Sequence, residues 1–296
     1  MHTMNRRTFL KGAAAGVGAL MLPQTALAVR NLPAAGAIAF RFAVAGDLHY
    51  AIGDYTEHAE NMVRWFNEER EDRGLDLVFL NGDIVHDVTD RYDELIENYL
   101  TRLEMPYYAT KGNHDFLEDD QSWEGIWGYP ADHVVEEGDM AFVFADTSRH
   151  DDRSNHYSAA DSVWMEETLT GLAGKEHVFV VLHIAQRMEG VKVDNHIWPR
   201  YGVGHQDPAR AEEGERVMQS LENAPNVKAV FHGHNHYEAG LYLSKGKPFF
   251  FCSRIGHTFG NAIGYRIVEI YGDGTAATYQ YDPNSGRMVT NHEIPL

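Results

Sequence analysis

Apolar residues in this chain follow two kinds of pattern. Residues 40–45, 77–80, 178–182 and 227–231 are short, dense runs of aromatic and aliphatic residues that predict buried strands, and residues 106–110 form a weaker fifth. Residues 56–71, 91–103, 159–172 and 209–222 carry apolar positions three and four apart, the spacing of amphipathic helices. After residue 236 the pattern changes to short strand-like runs near 240–243, 248–252, 265–271 and 276–281. Strands and helices alternating in this way predict an α/β fold.

No low-complexity linker or internal repeat interrupts the alternation. Residues 38–296 are therefore expected to form a single domain, with residues 29–37 as an exposed lead-in. The full chain has 25 basic and 44 acidic residues and a net charge of −19. Residues 1–28 hold Arg6, Arg7 and Lys11 and no acid, so without them the charge falls to −22. A surface this acidic repels nucleic acid and anionic lipid at long range, and no nucleic acid polymer is expected as a partner. Cys252 is the only cysteine, so no intrachain disulfide can form. It lies in an apolar run and reads as a small core residue.

Candidate chemistry enters with five polar clusters: Asp47-Leu48-His49, Gly82-Asp83, Gly112-Asn113-His114-Asp115, His183 and Gly233-His234-Asn235-His236. The third follows the weaker strand run, and each of the others follows a strong one. Polar residues just past the carboxyl ends of strands are where open α/β sheets hold ligands. Carboxylate and imidazole together suit first-row divalent cations such as Mn, Fe, Zn or Ni, and no cysteine belongs to the set. His234 and His236 alternate on an extended segment and so face one side; His232 is read as pointing the other way.

In order and content the clusters resemble the calcineurin-like metallophosphoesterases, and the matching span covers residues 47–236. The resemblance implies a four-layer αββα sandwich, in which two mixed β-sheets pack face to face with helices outside and the late strands complete the second sheet. It also implies two divalent metal ions on the strand-end loops. Asp47, His49, Asp83 and His236 would hold one, and Asp83, Asn113, His183 and His234 the other, so that Asp83 bridges both. Two such ions about 3.5 to 4 Å apart repel each other strongly, and a shared carboxylate offsets the repulsion. The implied reaction is hydrolysis of a small phosphorylated substrate by in-line attack of a metal-bridging hydroxide. Asn113 and His114 would contact the substrate, with His114 as general acid or electrostatic stabiliser.

The chain departs from the pattern at one position. In the phosphoprotein phosphatase branch an Asp three residues after the bridging Asp orients the catalytic histidine; here that position is His86, with Asp87 next to it. Purple acid phosphatases place a metal-binding tyrosine there and lack a histidine in the first cluster, so His49 and His86 set that branch aside. His86 is read as a loop histidine in preference to a supporting partner of the site, and Asp87 and Asp115 as surface turn carboxylates in preference to hydrogen-bond partners that orient His114. Trp123, Trp127, Arg187, Trp198, Arg200 and His205, on two long loops at 117–137 and 185–207, are read as packing residues of those loops.

Residues 5–11, Asn-Arg-Arg-Thr-Phe-Leu-Lys, precede an apolar stretch at 12–22 and the small residues Ala26-Leu27-Ala28. This resembles a twin-arginine signal peptide over residues 1–28, whose users cross the membrane already folded. The apolar stretch is too short to span a hydrocarbon core of about 30 Å. After cleavage no stable membrane anchor is expected, and the export machinery is an expected partner. The sequence thus reads as a periplasmic or secreted phosphoesterase that hydrolyses a small phosphodiester. Phosphomonoester or pyrophosphate hydrolysis at the same centre is the alternative. A non-catalytic scaffold that kept the fold is the alternative of another class.

Overall fold

The computed structural model describes residues 37–118, 121–149, 157–187, 192–193, 196–197, 203, 208–236, 240–256 and 263–294; the leader, the lead-in up to residue 36, Trp198, Arg200 and His205 lie outside them. Three strands, β1 (Ile38–Ala45), β2 (Leu77–Asn81) and β3 (Tyr107–Thr110), pair in parallel. Between them the chain forms helices α1 (Tyr55–Arg73) and α2 (Tyr92–Asn98), the latter followed by a 3-10 turn at Leu100–Arg102. Next come α3 (Trp123–Trp127), β4 (His133–Glu137), β5 (Met140–Ala145), α4 (Ser162–Gly171) and β6 (His177–Leu182). The remaining elements are the short pair β7 (Lys192–Val193) and β8 (His196–Ile197), then α5 (Pro208–Asn223), β9 (Val227–His232), β10 (Gly240–Ser244), β11 (Lys247–Phe251), β12 (Tyr265–Tyr271), β13 (Ala276–Asp282) and β14 (Arg287–Ile294).

These strands make two mixed six-stranded sheets, ordered β14-β13-β12-β1-β2-β3 and β10-β11-β9-β6-β5-β4. Alternate residues of each central strand point to opposite faces, which explains why both faces are apolar. Phe42, Val44, Phe79, Phe142, Phe144, Phe179 and Phe231 point inward and form the layer between the sheets. Phe42 meets Phe142 and Phe179 across that layer, each at 5.2 Å between ring centres. Each such buried side chain contributes roughly 1.5–3 kcal/mol. On the outer face of the first sheet Ala43, Val78 and Leu80 pack with Met62 and Phe66 of α1 and Leu95 of α2. On the outer face of the second, Val143, Val178 and Val180 pack with Met165 and Leu169 of α4 and Val217 and Leu221 of α5. The architecture is the expected αββα sandwich.

Two expectations are corrected. The strands after the last cluster divide between the sheets: β10 and β11 extend the second, whereas β12, β13 and β14 form the outer half of the first. Alternation tells which face a strand buries but not which neighbour it pairs with. The segment 117–137 is also less of a loop than its composition suggests, since it contains α3 and β4.

At the far end of the first sheet lies a buried ionic network. The guanidinium of Arg41 on β1 stands 3.2 Å from Glu69 of α1 and 3.5 Å from Glu269 of β12, all three nearly inaccessible to solvent. Tyr265 and Tyr279 donate to Glu69 and Glu269 at 3.0 and 3.2 Å. Arg41→Leu should therefore leave two buried carboxylates short of a cation and lower stability by roughly 3–5 kcal/mol in urea unfolding. A loss under about 1 kcal/mol would mean that Arg73, which also pairs with Glu69, compensates for it.

Candidate metal centre

The carboxyl ends of β1, β2 and β3 and those of β6 and β9 meet at one edge of the sandwich, and all five clusters lie in the loops that leave them. Adjacent loops are joined by backbone hydrogen bonds. Asp47 N–H donates to Gly82 O, His49 N–H to Asp83 O and Tyr50 N–H to Ile84 O, each at 2.9 Å. The sheets are cross-linked here too, as the Nδ1 of His183 lies 2.7 Å from Asn81 O. The loops take sharp turns to bring side chains inward: Asp47, His49, Asp83 and His234 all have left-handed backbone, with φ of 56°, 49°, 50° and 66°. For a non-glycine residue this costs on the order of 1–2 kcal/mol, and such strain concentrates at functional sites. Gly112 is required for a different reason, because a Cβ there would stand 2.0 Å from the backbone nitrogen of Asp83.

The turns gather the side chains into two groups that share Asp83, one of Asp47, His49, Asp83 and His236 and the other of Asp83, His183 and His234. His49 Nε2 lies 3.1 Å from His236 Nε2 and 3.6 Å from Asp83 Oδ2. His236 Nε2 is 3.0 Å from Asp47 Oδ1, and His183 Nε2 is 3.2 Å from Asp83 Oδ2. Ligands bound at about 2.0–2.2 Å in tetrahedral geometry are about 3.3–3.6 Å apart, so these atoms are close to metal-ligand spacing. Asp83 Oδ2, Asn113 Oδ1 and His183 Nε2 are buried; Asn113 Oδ1 makes no hydrogen bond with the described residues, and Asp83 Oδ2 and His183 Nε2 face each other as an ion pair. Buried oxygens and imidazole nitrogens converging on a shared carboxylate are a donor set that fits divalent cations.

The electrostatics agree. Burial works to raise the pKa of Asp83, but the neighbouring His183 and His114 outweigh it and hold the carboxyl well below the usual range. Burial would likewise lower His183, but Asp83 raises it to about 9. In the metal-free protein a proton on His183 therefore stands where a cation would. Burial lowers His49 well below the ordinary histidine value and His234 to about 3, leaving both imidazoles neutral, the form that binds metal.

His114 borders the groups without joining a shared-Asp83 set. Its backbone N–H donates to Asp83 Oδ1 at 2.8 Å, and its Nδ1 lies 2.8 Å from Asp87 Oδ1. Burial opposes the charged imidazole, yet Asp83 and the bond to Asp87 raise its pKa overall. Asp87 is thus a partner of His114 and not merely a surface turn carboxylate. Its left-handed backbone, φ 55°, helps the residue after His86 to take the place expected for the residue at 86. Asp115 is also corrected: it is buried, and it accepts from the N–H groups of Ile84 and Val85 at 2.9 Å and of Gly112 at 2.8 Å. Burial and the charge of Asp83 push its carboxyl up to about 7, against those donors. His86, read as a loop histidine, packs flat on His114 and places its Nδ1 2.8 Å from that of His49.

The loop residues behave as packing residues where they are described. Trp123 is buried and stacks on Trp127 at 5.2 Å, and Arg187 pairs with Glu222 at 2.9 Å and with Glu215. The segment after β9 is not extended as expected: the backbone at His234 is left-handed, and His234 and His236 join different groups. His232 faces away from the cluster, its Nδ1 3.0 Å from Leu182 O. Cys252 is buried between the sheets.

Comparison with known proteins adds to this geometry. A sequence-family model described as calcineurin-like phosphoesterase matches residues 40–238, and one described as TAT (twin-arginine translocation) pathway signal sequence matches residues 3–23. A curated relative, "Probable glycerophosphodiester phosphodiesterase GpdQ" of Arcobacter nitrofigilis, is 26% identical over 167 residues, or 54% of this chain and 56% of that protein. The chain therefore matches just over half of that relative's length. Among solved structures, a dimetal phosphatase from Danio rerio has a TM-score of 0.61 at 16% identity, covering 87% of this chain and 99% of that one. GAP50, the anchor in the inner membrane complex of Plasmodium, gives 0.57 at 12%, covering 87% and 89%. Purple acid phosphatase PPD1 of yellow lupin (Lupinus luteus) gives 0.56 at 11%, covering 86% and 53%. These likenesses show a shared fold.

The Asp83–His183 pair makes stability depend on pH. The pKa of His183 is raised to about 9 in the folded, metal-free protein, so its contribution is complete below the ordinary value near 6.5 and is lost as pH rises through 9. Urea unfolding in the presence of chelator should show a loss of about 2 kcal/mol between roughly pH 7.5 and 9.5. A flat profile would mean that His183 holds no proton beside Asp83.

Proposed function

The chain belongs to the calcineurin-like phosphoesterase family, and from that premise we propose that it is a dinuclear metal-dependent hydrolase acting on a small phosphodiester. Its twin-arginine signal marks it for export, which places its work in the periplasm or beyond, and among the described residues no helix is long and apolar enough to cross a membrane. The observation that carries the proposal is the convergence of two groups of carboxylates and imidazoles on the shared Asp83, with Asn113 Oδ1 buried and without a hydrogen bond to the described residues. In this reading Asp47, His49, Asp83 and His236 hold one divalent ion and Asp83, Asn113, His183 and His234 the other. When bound, such a pair supplies a water acidic enough to attack at neutral pH and positive charge against the phosphoryl oxygens.

The chain's own residues do the rest. Asp83 supplies the negative charge between the two sites, and the neutral imidazoles of His49 and His234 offer lone pairs. The amide nitrogen of Asn113 is a donor for a phosphoryl oxygen. His114, whose pKa Asp83 and Asp87 raise against burial, is the proton donor to the departing oxygen, and Asp87 fixes the ring by accepting from Nδ1. The name of the Arcobacter relative, a probable glycerophosphodiester phosphodiesterase, supports a diester over a monoester. A filled set of ligand positions argues against a scaffold that kept only the fold. Residues 38–296 are read as one domain because each sheet takes strands from both halves of the chain.

Purified, metal-loaded protein should hydrolyse bis-p-nitrophenyl phosphate faster than p-nitrophenyl phosphate; the reverse order would favour a phosphomonoesterase, and turnover of neither would count against the whole reading. Asp83→Ala should lose metal and activity together in elemental analysis and assay. His114→Ala should keep its metal while its rate falls by about 10² to 10⁴, and unchanged turnover would remove His114 from the reaction.

A further inference from the structure

One residue beside the centre has no role in the chemistry above: His86, which forms a cluster with His49 and His114 whose ring nitrogens lie within 4.8 Å of one another. His86 is held in place by its N–H, which donates to Tyr50 O at 2.9 Å and continues the hydrogen-bonded zipper between the loops after β1 and β2. Its side chain touches two different parts of the site. Its Nδ1 lies 2.8 Å from the Nδ1 of His49, and its ring lies on that of His114, 4.5 Å between centres and 16° from parallel. We propose that His86 is a positioning residue with two separable duties: its Nδ1 fixes the tautomer of His49, and its ring face fixes the plane of His114.

The proton count sets the direction of the first contact. His49 turns Nε2 toward Asp83 and His236, so the lone pair offered to a cation must be on Nε2 and the proton on Nδ1. That proton is donated to His86 Nδ1, which accepts it. A ligating histidine whose other nitrogen has a fixed partner binds metal more tightly, by about 10- to 100-fold. In the second contact, Asp87 holds one nitrogen of His114 at 2.8 Å but leaves the ring free to turn about that bond. A parallel neighbour removes the rotation and keeps Nε2 aimed in one direction. The stacking also argues against the three histidines as a further cation site, because one ion cannot lie in the planes of two parallel rings.

The inference rests on the phosphoesterase reading, and its test separates the two duties. His86→Asn keeps an acceptor near the place of Nδ1 and loses the ring face; His86→Phe keeps the face and loses the acceptor. With the full chain, equilibrium dialysis against Mn should show the Phe variant binding 10- to 100-fold more weakly and the Asn variant within about threefold of wild type. Turnover of aryl phosphodiesters, one releasing p-nitrophenol and one releasing phenol, should show the opposite. The Asn variant should lose about tenfold more on the phenol ester, which needs a proton donor, while the Phe variant keeps the wild-type ratio. Variants that change both readouts alike would overturn the proposal in favour of packing alone. A third equivalent of Mn bound by wild type and absent from both variants would overturn it in favour of a cation site. Wild type that hydrolyses neither ester would defeat the phosphoesterase reading, and the dialysis would still decide the contact with His49.

Discussion

The structure depends on one buried negative charge. Asp83 is almost completely inaccessible, and an isolated carboxylate in that position would be unfavourable by several kcal/mol. It is compensated from both sheets. From the first, His49 and the backbone of His114 approach it; from the second, His183 does so at 3.2 Å. The edge where the two sheets meet is therefore held in part by partners that a single side chain draws from both. The aromatic layer gives the sandwich its bulk stability, but it is non-directional and would tolerate sliding of one sheet over the other. The contacts at Asp83 fix the register between them.

Backbone strain follows from the same constraint. Four of the left-handed residues, Asp47, His49, Asp83 and His234, belong to the two candidate ligand groups. Their conformation is unfavourable locally and is maintained because the flanking strands are paired on both sides and the loops are hydrogen-bonded to one another. The rigid part of the molecule thus holds the unfavourable geometry of the reactive part.

Much of this was legible in the sequence, for a physical reason. Strands buried on both faces must be apolar throughout, so β1, β2, β6 and β9 stand out as dense runs, and the polar residues that end them stand out by contrast. Positions whose roles depend on distant partners were not legible. Asp87 and Asp115 look like ordinary turn carboxylates until the chain folds, because their partners lie about thirty positions away in sequence: Asp87 with His114, and Asp115 with Ile84 and Val85. The pairing of β12 to β14 with the first sheet was hidden in the same way, since no local pattern names a strand's neighbour. Residues 140–145 are as apolar as the other central runs, yet β5 is followed by Asp146-Thr147-Ser148, whose polar groups serve loop structure: Asp146 accepts from Ser148 N–H, and Thr147 from Ile184 N–H.

The position of β1 has a consequence for the order of events during synthesis. It lies between β2, made soon after it, and β12, made near the end of the described chain. A chain leaving the ribosome amino end first must carry β1 with one edge unpaired until residues 265–271 have emerged. During that interval the strand nearest the leader is an open template for wrong pairing. The first sheet, and with it the loop that carries Asp47 and His49, can close only late in translation. An export route that accepts finished proteins suits such a topology, because the leader is displayed before the fold beneath it can exist.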